Sequence, residues 1–248
     1  MASVDEAAGT HSNGGQPIYR TNGVTKVYGD GPAAVHALRG VDLEVPTGEL
    51  VVLLGPSGSG KSTLLNILGG IDRATDGAVF FQDKNLAAMS DRRLTAYRRA
   101  HVGFVFQFYN LMPSLTAREN VELVAEISPD PMLAMEALSL VDLDNRADHF
   151  PSELSGGEQQ RVAIARAIAK KPTVLFCDEP TGALDSKTGV TVLKALQTLN
   201  QELGATTLII THAAATAAMA DRVIHFADGD IREIVENDSP VTADQISW

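Results

Sequence analysis

The stretch GPSGSGKST, Gly55–Thr63, follows the apolar run Leu50–Leu54 and opens a segment in which Leu64, Leu65, Ile67 and Leu68 recur at helical spacing. Glycine-rich chain resists both helix and strand, so strand, tight loop and helix must follow one another here. Few folds allow that order. Gly55, Gly58 and Gly60 let the backbone wrap closely with its amides turned inward, and the helix start adds positive potential, which together suit a phosphate chain. Within this GxxxxGK[ST] pattern Pro56, Ser57 and Ser59 complete the wrap and Lys61 reaches the β- and γ-phosphates. The Ser62 hydroxyl is placed to ligate magnesium, leaving Thr63 for the α-phosphate region.

Composition narrows the class. A chain of 248 residues, 44% of them hydrophobic, can bury a large core as one sizeable domain or one domain with insertions. A formal net charge of −11 counts against a nucleic-acid coat, which needs a concentrated basic face, and no nucleic-acid partner is expected. The single cysteine, Cys177, lies inside the apolar run TVLFCDEP and reads as a buried core residue of a protein kept in a reducing compartment. No run approaches the ~18 apolar residues of a membrane span, and the start lacks the pattern of a secretory leader. The chain reads as soluble and unsecreted. Residues 1–17 are polar and glycine-rich and read as a disordered tail; residues 236–248 read as a solvated acidic tail.

Between these ends LVVLL, TVLFC and TTLII recur as short apolar runs separated by helical patterns, the mark of buried parallel strands. A helix is expected from Ser186 to Leu203 with Val190, Leu193, Leu196 and Leu203 on its buried stripe and Gly204 as its stop. HFADGDI reads as a hairpin around Asp228 and Gly229. The run Val174–Cys177 ends in Asp178 and Glu179. Side chains alternate along a strand, so Asp178 can serve a magnesium shell while Glu179 faces an attacking water, as phosphoryl transfer to water requires. His212 ends the run Thr206–Thr211 and would reach the same sheet edge, although a lone histidine there is often structural.

LSGGEQQR, Leu154–Arg161, sets two glycines at the mouth of a strong helix. Ser155 and Glu158 form a capping box, which accounts for the serine but not for Gly156 and Gly157. Glycines at a helix mouth admit an anion to exposed amides, so a second phosphate site is one reading and a capped helix without ligand is the other. One nucleotide needs one P-loop. A two-fold homodimer, each subunit offering this helix to the nucleotide held by its partner, reconciles the two cradles.

Taken in order, P-loop, glutamine, LSGG, DE and histidine resemble the ATP-binding subunits of ABC transporters over about residues 18–235. The resemblance implies an α/β fold: a P-loop NTPase (RecA-like) core, an N-terminal antiparallel β region and a helical subdomain inserted over about 108–165. It also implies roles by position. Tyr28 in KVYGD is similar to the aromatic that stacks on adenine, and Gln107 in FVFQFYN to the glutamine that touches magnesium and water and hinges the helical subdomain. Asp185 in GALD resembles the residue that addresses the partner's site, and His212 the histidine on the γ-phosphate. Two departures stand out: Glu158 replaces a glutamine common in the family, and Ala213 follows His212 where an acidic or amide residue is usual.

LLNILGGID, FQFYNLMPSLTARENV and PSELSGGEQQRVAIARAIAKKP are most similar to the lipoprotein-release and macrolide-export branch. ATP, Mg2+, a homodimer enclosing two ATP, integral membrane permease subunits and a peripheral place on the cytoplasmic membrane face follow as implications. A chromosome-structuring ATPase would interrupt the cassette with a long coiled coil, a translation-associated one would carry two P-loops, and a simple kinase would leave LSGGE unexplained.

Overall fold

The computed structural model describes residues 16–246, so the disordered tail expected over 1–17 lies almost wholly outside the described residues. β1 (Tyr19–Tyr28), β2 (Val35–Val45), β4 (Asp76–Phe81) and β5 (Lys84–Asn85) form an antiparallel sheet in the order β2-β1-β4-β5. β3 (Leu50–Leu54), β6 (Val102–Phe106), β7 (Val174–Asp178), β8 (Thr206–Thr211), β9 (Arg222–Ala227) and β10 (Asp230–Glu236) form the second sheet, ordered β10-β9-β3-β8-β7-β6. Within it β9, β3, β8, β7 and β6 pair in parallel and β10 closes the edge antiparallel to β9. The three apolar runs read as parallel strands are therefore the adjacent β3, β8 and β7.

Those strands are buried on both faces, and alternation divides their side chains between two cores. Val51, Leu53, Val174, Phe176, Leu208 and Ile210 pack with the antiparallel sheet and with α1 (Lys61–Leu68). Leu50, Val52, Leu175, Cys177 and Ile209 face the opposite core, built with α3 (Ala117–Ala125), α4 (Ala134–Ser139), α5 (Gly156–Ile168) and α6 (Ser186–Leu203). Burial drives the Cys177 thiol upward in pKa, as an inert core residue requires. Residues 108–165 contain α3, α4 and most of α5, and α5 packs on β6 as well as on α3 and α4.

α2 (Asp91–His101) had no strong signal. Five of its eleven residues are charged, and only Leu94 and Tyr97, three residues apart, are buried. α6 runs as expected to Gly204, which takes φ 62°, but its buried stripe is Gly189, Val192, Leu193, Leu196, Leu199 and Asn200, with Leu203 at the exposed margin. The acidic end also differs from its reading as a solvated tail. Ala243 and Ile246 are buried against the core, because residues 237–246 run back as a strap across α6. Among the described residues no helix is long and apolar enough to cross a membrane.

One half-buried cation carries a pH signature. Lys170 donates Nζ to the carbonyl of Arg98 at 2.8 Å. Burial, followed by the Arg98 charge, lowers its pKa from an ordinary 10.5 to about 8. A lysine depressed in this way favours folding when neutral, and that advantage is lost as pH falls through about 8, where the folded state must accept the charge. Lys170→Met is therefore expected to raise Tm at pH 7 and to gain much less near pH 10, a contrast that paired thermal melts read directly.

Candidate active site

The parallel register brings three strand ends to one edge: Leu54 opposite Thr211, and Asp178 opposite Ile210. That edge is where open α/β sheets collect ligands. Gly55, Asp178, Glu179 and His212 therefore start as neighbours through topology alone. A cleft of ≈ 700 Å³ opens there, lined by Ser57–Thr63, Gln107, Asp178 and Glu179, and by β2 and hairpin residues that include Arg39 and Asp228.

Lys61 opens α1 yet is buried, and its side chain folds back on its own loop. Its Nζ donates to Gly55 O and Pro56 O, each at 2.8 Å, and reaches Ser59 Oγ at 3.4 Å. Burial lowers its pKa, opposed by the charges of Glu179 and Asp178. The loop is buttressed by the β9–β10 hairpin, since Gly229 N donates to Ser59 O at 2.8 Å and Arg39 N to Gly229 O at 2.9 Å. The three loop glycines turn out to serve different ends. A Cβ on Gly55 would lie 2.0 Å from Phe226 O, and one on Gly60 would lie 2.3 Å from Ala37 O, so β9 and β2 require those two. Gly58, at φ 77° with nothing within 4 Å, faces open cleft, and Gly60, at φ 105°, lines the same cleft.

Asp178 ends β7 and accepts a hydrogen bond from Ser62 Oγ at 3.1 Å. Burial raises its pKa; the Ser62 bond opposes this and the Glu179 charge adds to it. A buried carboxylate beside a second acid is stabilised by a cation, and a hydroxyl and a carboxylate suit Mg2+, which keeps its other positions for water and phosphate oxygens. Among the described residues no group of three or more His, Cys, Asp or Glu could hold a metal without such help. Glu179 is not aimed by strand alternation as expected. It leaves β7 at φ 48°, a conformation costly for a non-glycine residue, with its N–H on Ile210 O at 2.9 Å. That turn brings Glu179 Oε1 to 3.0 Å from Nδ1 of His212.

Gln107 lines the same cleft, and its amide covers Gly182, where a Cβ would meet Nε2 at 2.9 Å. The loop behind it is strained: Tyr109 and Asn110 take φ 56° and 51°. Arg166 of α5 holds both residues through their carbonyls, at 2.8 Å for Tyr109. Sequence reasoning missed Arg166, whose only cue was a charged residue in the apolar run VAIARAIA.

Other expected site residues lie off the cleft. Tyr28 is 42% exposed; its hydroxyl donates to Asp72 Oδ2 at 2.8 Å and Lys26 Nζ lies 4.7 Å from its ring centroid, so one aromatic face is engaged within the chain. Asp185 caps α6, accepting from Thr188 N at 3.1 Å and from Thr188 Oγ1 at 2.6 Å. Ser155 caps α5: its Oγ accepts from Glu158 N at 3.3 Å, and Glu158 Oε2 accepts from Ser155 N at 2.8 Å. Glu158 thus serves the cap its sequence departure allows and pairs with Arg146 at 3.3 Å. Ser155 and Gly157 border a separate depression of ≈ 380 Å³ with Lys187 and Thr188.

The glycine doublet is partly explained within the chain. A Cβ on Gly157 would lie 2.1 Å from Thr188 Cγ2, so close packing of α5 on α6 demands this glycine. On Gly156 the obstacle is the tip of the Tyr109 side chain, 2.8 Å away, which can move. Gly156 keeps the open helix mouth that an anion could approach.

A parallel sheet delivering a P-loop, a paired acid and a strand-end histidine to one edge defines a nucleoside-triphosphate-binding α/β protein. Residues 38–182 match the ABC transporter family. The chain belongs to that family and is an ATP-binding domain of it. It is 44% identical to an uncharacterized ABC transporter ATP-binding protein of Methanocaldococcus jannaschii over 86% of this chain and 95% of the relative. It is also 44% identical to the lipoprotein-releasing system ATP-binding protein LolD of Bacteroides fragilis, over 84% of this chain and 97% of that one. The chain spans about half the length of other relatives it matches, 51% of a putative ABC transporter ATP-binding protein of Mycoplasma genitalium at 44% identity over 94% of this chain. A solved dimeric ATP-binding cassette, in a post-hydrolysis state bound to ADP and Pi, superposes with TM-score 0.81 at 42% identity over 88% of this chain and 98% of that one.

Proposed function

We propose that this chain binds and hydrolyses Mg-ATP as a homodimer enclosing two nucleotides, and that closure and reopening of the pair drive a separate integral membrane permease. The observation that carries this reading is the separation, within one protomer, of the P-loop cleft with Asp178 and Glu179 from the helix mouth at Ser155 and Gly157. Two separate anion sites are satisfied together when a second copy brings its helix mouth to the cleft.

Lys61 releases the loop carbonyls to hold the β- and γ-phosphates, and Ser62 and Asp178, with Gln107 beside them, would hold Mg2+. When bound, the ion would supply charge neutralisation. Glu179 orients the attacking water and accepts its proton, and His212, paired with Glu179, reaches the γ-phosphate. Tyr28 offers its free face to adenine. Asp185 and the Ser155–Gly157 mouth act on the partner's nucleotide. Hydrogen bonds to charged groups contribute about 1.5–3 kcal/mol each, so several at two sites rival an association cost of about 4–15 kcal/mol. Loss of the γ-phosphate removes many of them together.

The permease surface is the helical side. Phe108, Met112, Leu123, Ile127, Leu133 and Phe150 are exposed there although apolar, as a covered docking face requires. Docking to a permease sets the chain peripherally on the cytoplasmic face of the membrane. Similarity to LolD, and to the macrolide export protein MacB of Brucella melitensis at 43% identity over 88% of this chain and 34% of that one, favours an exporter or a force-transmitting complex.

The test is assembly. With Mg2+ and a non-hydrolysable ATP analogue the chain is expected to sediment as a dimer, and Gly156→Asp to remain monomeric while binding the analogue as tightly as the parent monomer. A parent chain that stays monomeric at every concentration, alone and with its copurified membrane protein, overturns the reading.

A further inference from the structure

His212 leads, through Ala213, into a 3-10 turn. Residues Ala214–Met219, AATAAM, form a 3-10 turn of six residues, longer than such turns usually persist, and four of the six are alanine. Thr216 and Met219 are its buried anchors. The strap supplies the rest. Asn237 Nδ2 donates to Ala218 O at 3.1 Å and to Ala220 O at 3.0 Å, and Asn237 N donates to Asp221 O at 2.8 Å. Val241 N adds a bond to Ala218 O at 3.0 Å.

The strap is itself held from α6. Gln197 Nε2 donates to Val241 O at 3.0 Å and Gln197 Oε1 accepts from Ala243 N at 3.0 Å, while Lys194 pairs with Asp244 at 3.1 Å. Asp221, at the far end of the turn, accepts from Leu50 N at 2.7 Å and so ties it to the strand that delivers the P-loop. Asn237 Nδ2 and N therefore tie the far end of this turn, at Ala218, Ala220 and Asp221, to the strap.

We propose that Asn237, seated by Gln197, is a positioning residue for hydrolysis: through the 3-10 turn it holds the His212 ring in register with Glu179. The inference rests on the reading of His212 as a γ-phosphate contact. It makes the acidic C-terminal strap part of the catalytic support.

The experiment is a double-substitution cycle on the full chain at saturating Mg-ATP. Asn237→Ala is expected to lower kcat about threefold to tenfold with KM for ATP unchanged, and to shift the imidazole 15N resonances of His212. Gln197→Ala, which leaves the turn's own contacts intact, should give the same split. In a His212→Ala background Asn237→Ala should cost nothing further. An unaltered kcat in both strap variants, or losses that multiply with that of His212→Ala, overturns the positioning role while leaving His212 in place. A silent His212→Ala removes the histidine's role and this inference with it. Should Asn237→Ala fail to fold, Gln197→Ala and its 15N spectrum decide the matter alone.

Discussion

Glu179→Gln is expected to slow ATP turnover by at least about a hundredfold, within the range of 10²–10⁴ that a positioned general base contributes, while nucleotide binding survives. Glutamine keeps the side chain's size and its oxygen, so the Glu179 turn at φ 48° and the cleft wall should persist. What is lost is a group able to take a proton. The P-loop contacts of Lys61, Ser62 and Asp178 are untouched by the change, so ATP should be retained and the enclosed dimer should accumulate. Steady-state phosphate release reads the first expectation and sedimentation with ATP the second. Turnover within a few-fold of the parent would remove Glu179 from the role of base and move attention to the Gln107 and His212 side of the cleft. A variant equally slow but monomeric would keep the base and discard closure.

How much of this was legible in residues alone depends on whether the signal was local. The P-loop, the acid pair and the histidine were found because strand, loop and helix cues sit within a few positions of each site. The parallel sheet then brought their ends together, as the unbroken apolar runs of β3, β7 and β8 imply. Directions were harder. The aim of Glu179 is set by a left-handed turn that no spacing rule announces. Gly55 and Gly60 look like ligand glycines in sequence, yet the carbonyls of Phe226 and Ala37, far along the chain, require them. Arg166 and Asn237 were invisible for the same cause: their partners are backbone carbonyls, which have no letter in a sequence. The strap was misread because the run of acids from Asp228 onward set the reading of the whole C-terminal end, while two apolar residues, Ala243 and Ile246, decide the strap's burial.

Gly157→Ala is expected to lower Tm by about 2–12 °C, from an overpacking cost of about 1–3 kcal/mol at 2–4 °C per kcal/mol. The added methyl would sit 2.1 Å from Thr188 Cγ2, so α5 and the start of α6 must part by more than an ångström or Thr188 must leave its rotamer. The second escape is closed by chemistry, since Thr188 Oγ1 is bonded to Asp185 at 2.6 Å and turning the side chain breaks the cap of α6. Thr188→Ser is the compensating change: it deletes the obstructing methyl, keeps the hydroxyl on Asp185, and should restore most of the lost Tm in the double variant. Thermal melts of the four proteins of this cycle supply the check. Recovery would show that Gly157 is a packing glycine, and that the LSGG mouth and Asp185 are locked in one protomer as a single surface. Persistent loss in the double variant, with nucleotide-driven dimerisation also gone, would return Gly157 to direct contact with the partner's phosphate. Gly156→Ala separates the two demands further, because its obstacle is a movable tyrosine tip: it should barely change Tm, and any loss of dimerisation it causes belongs to the ligand.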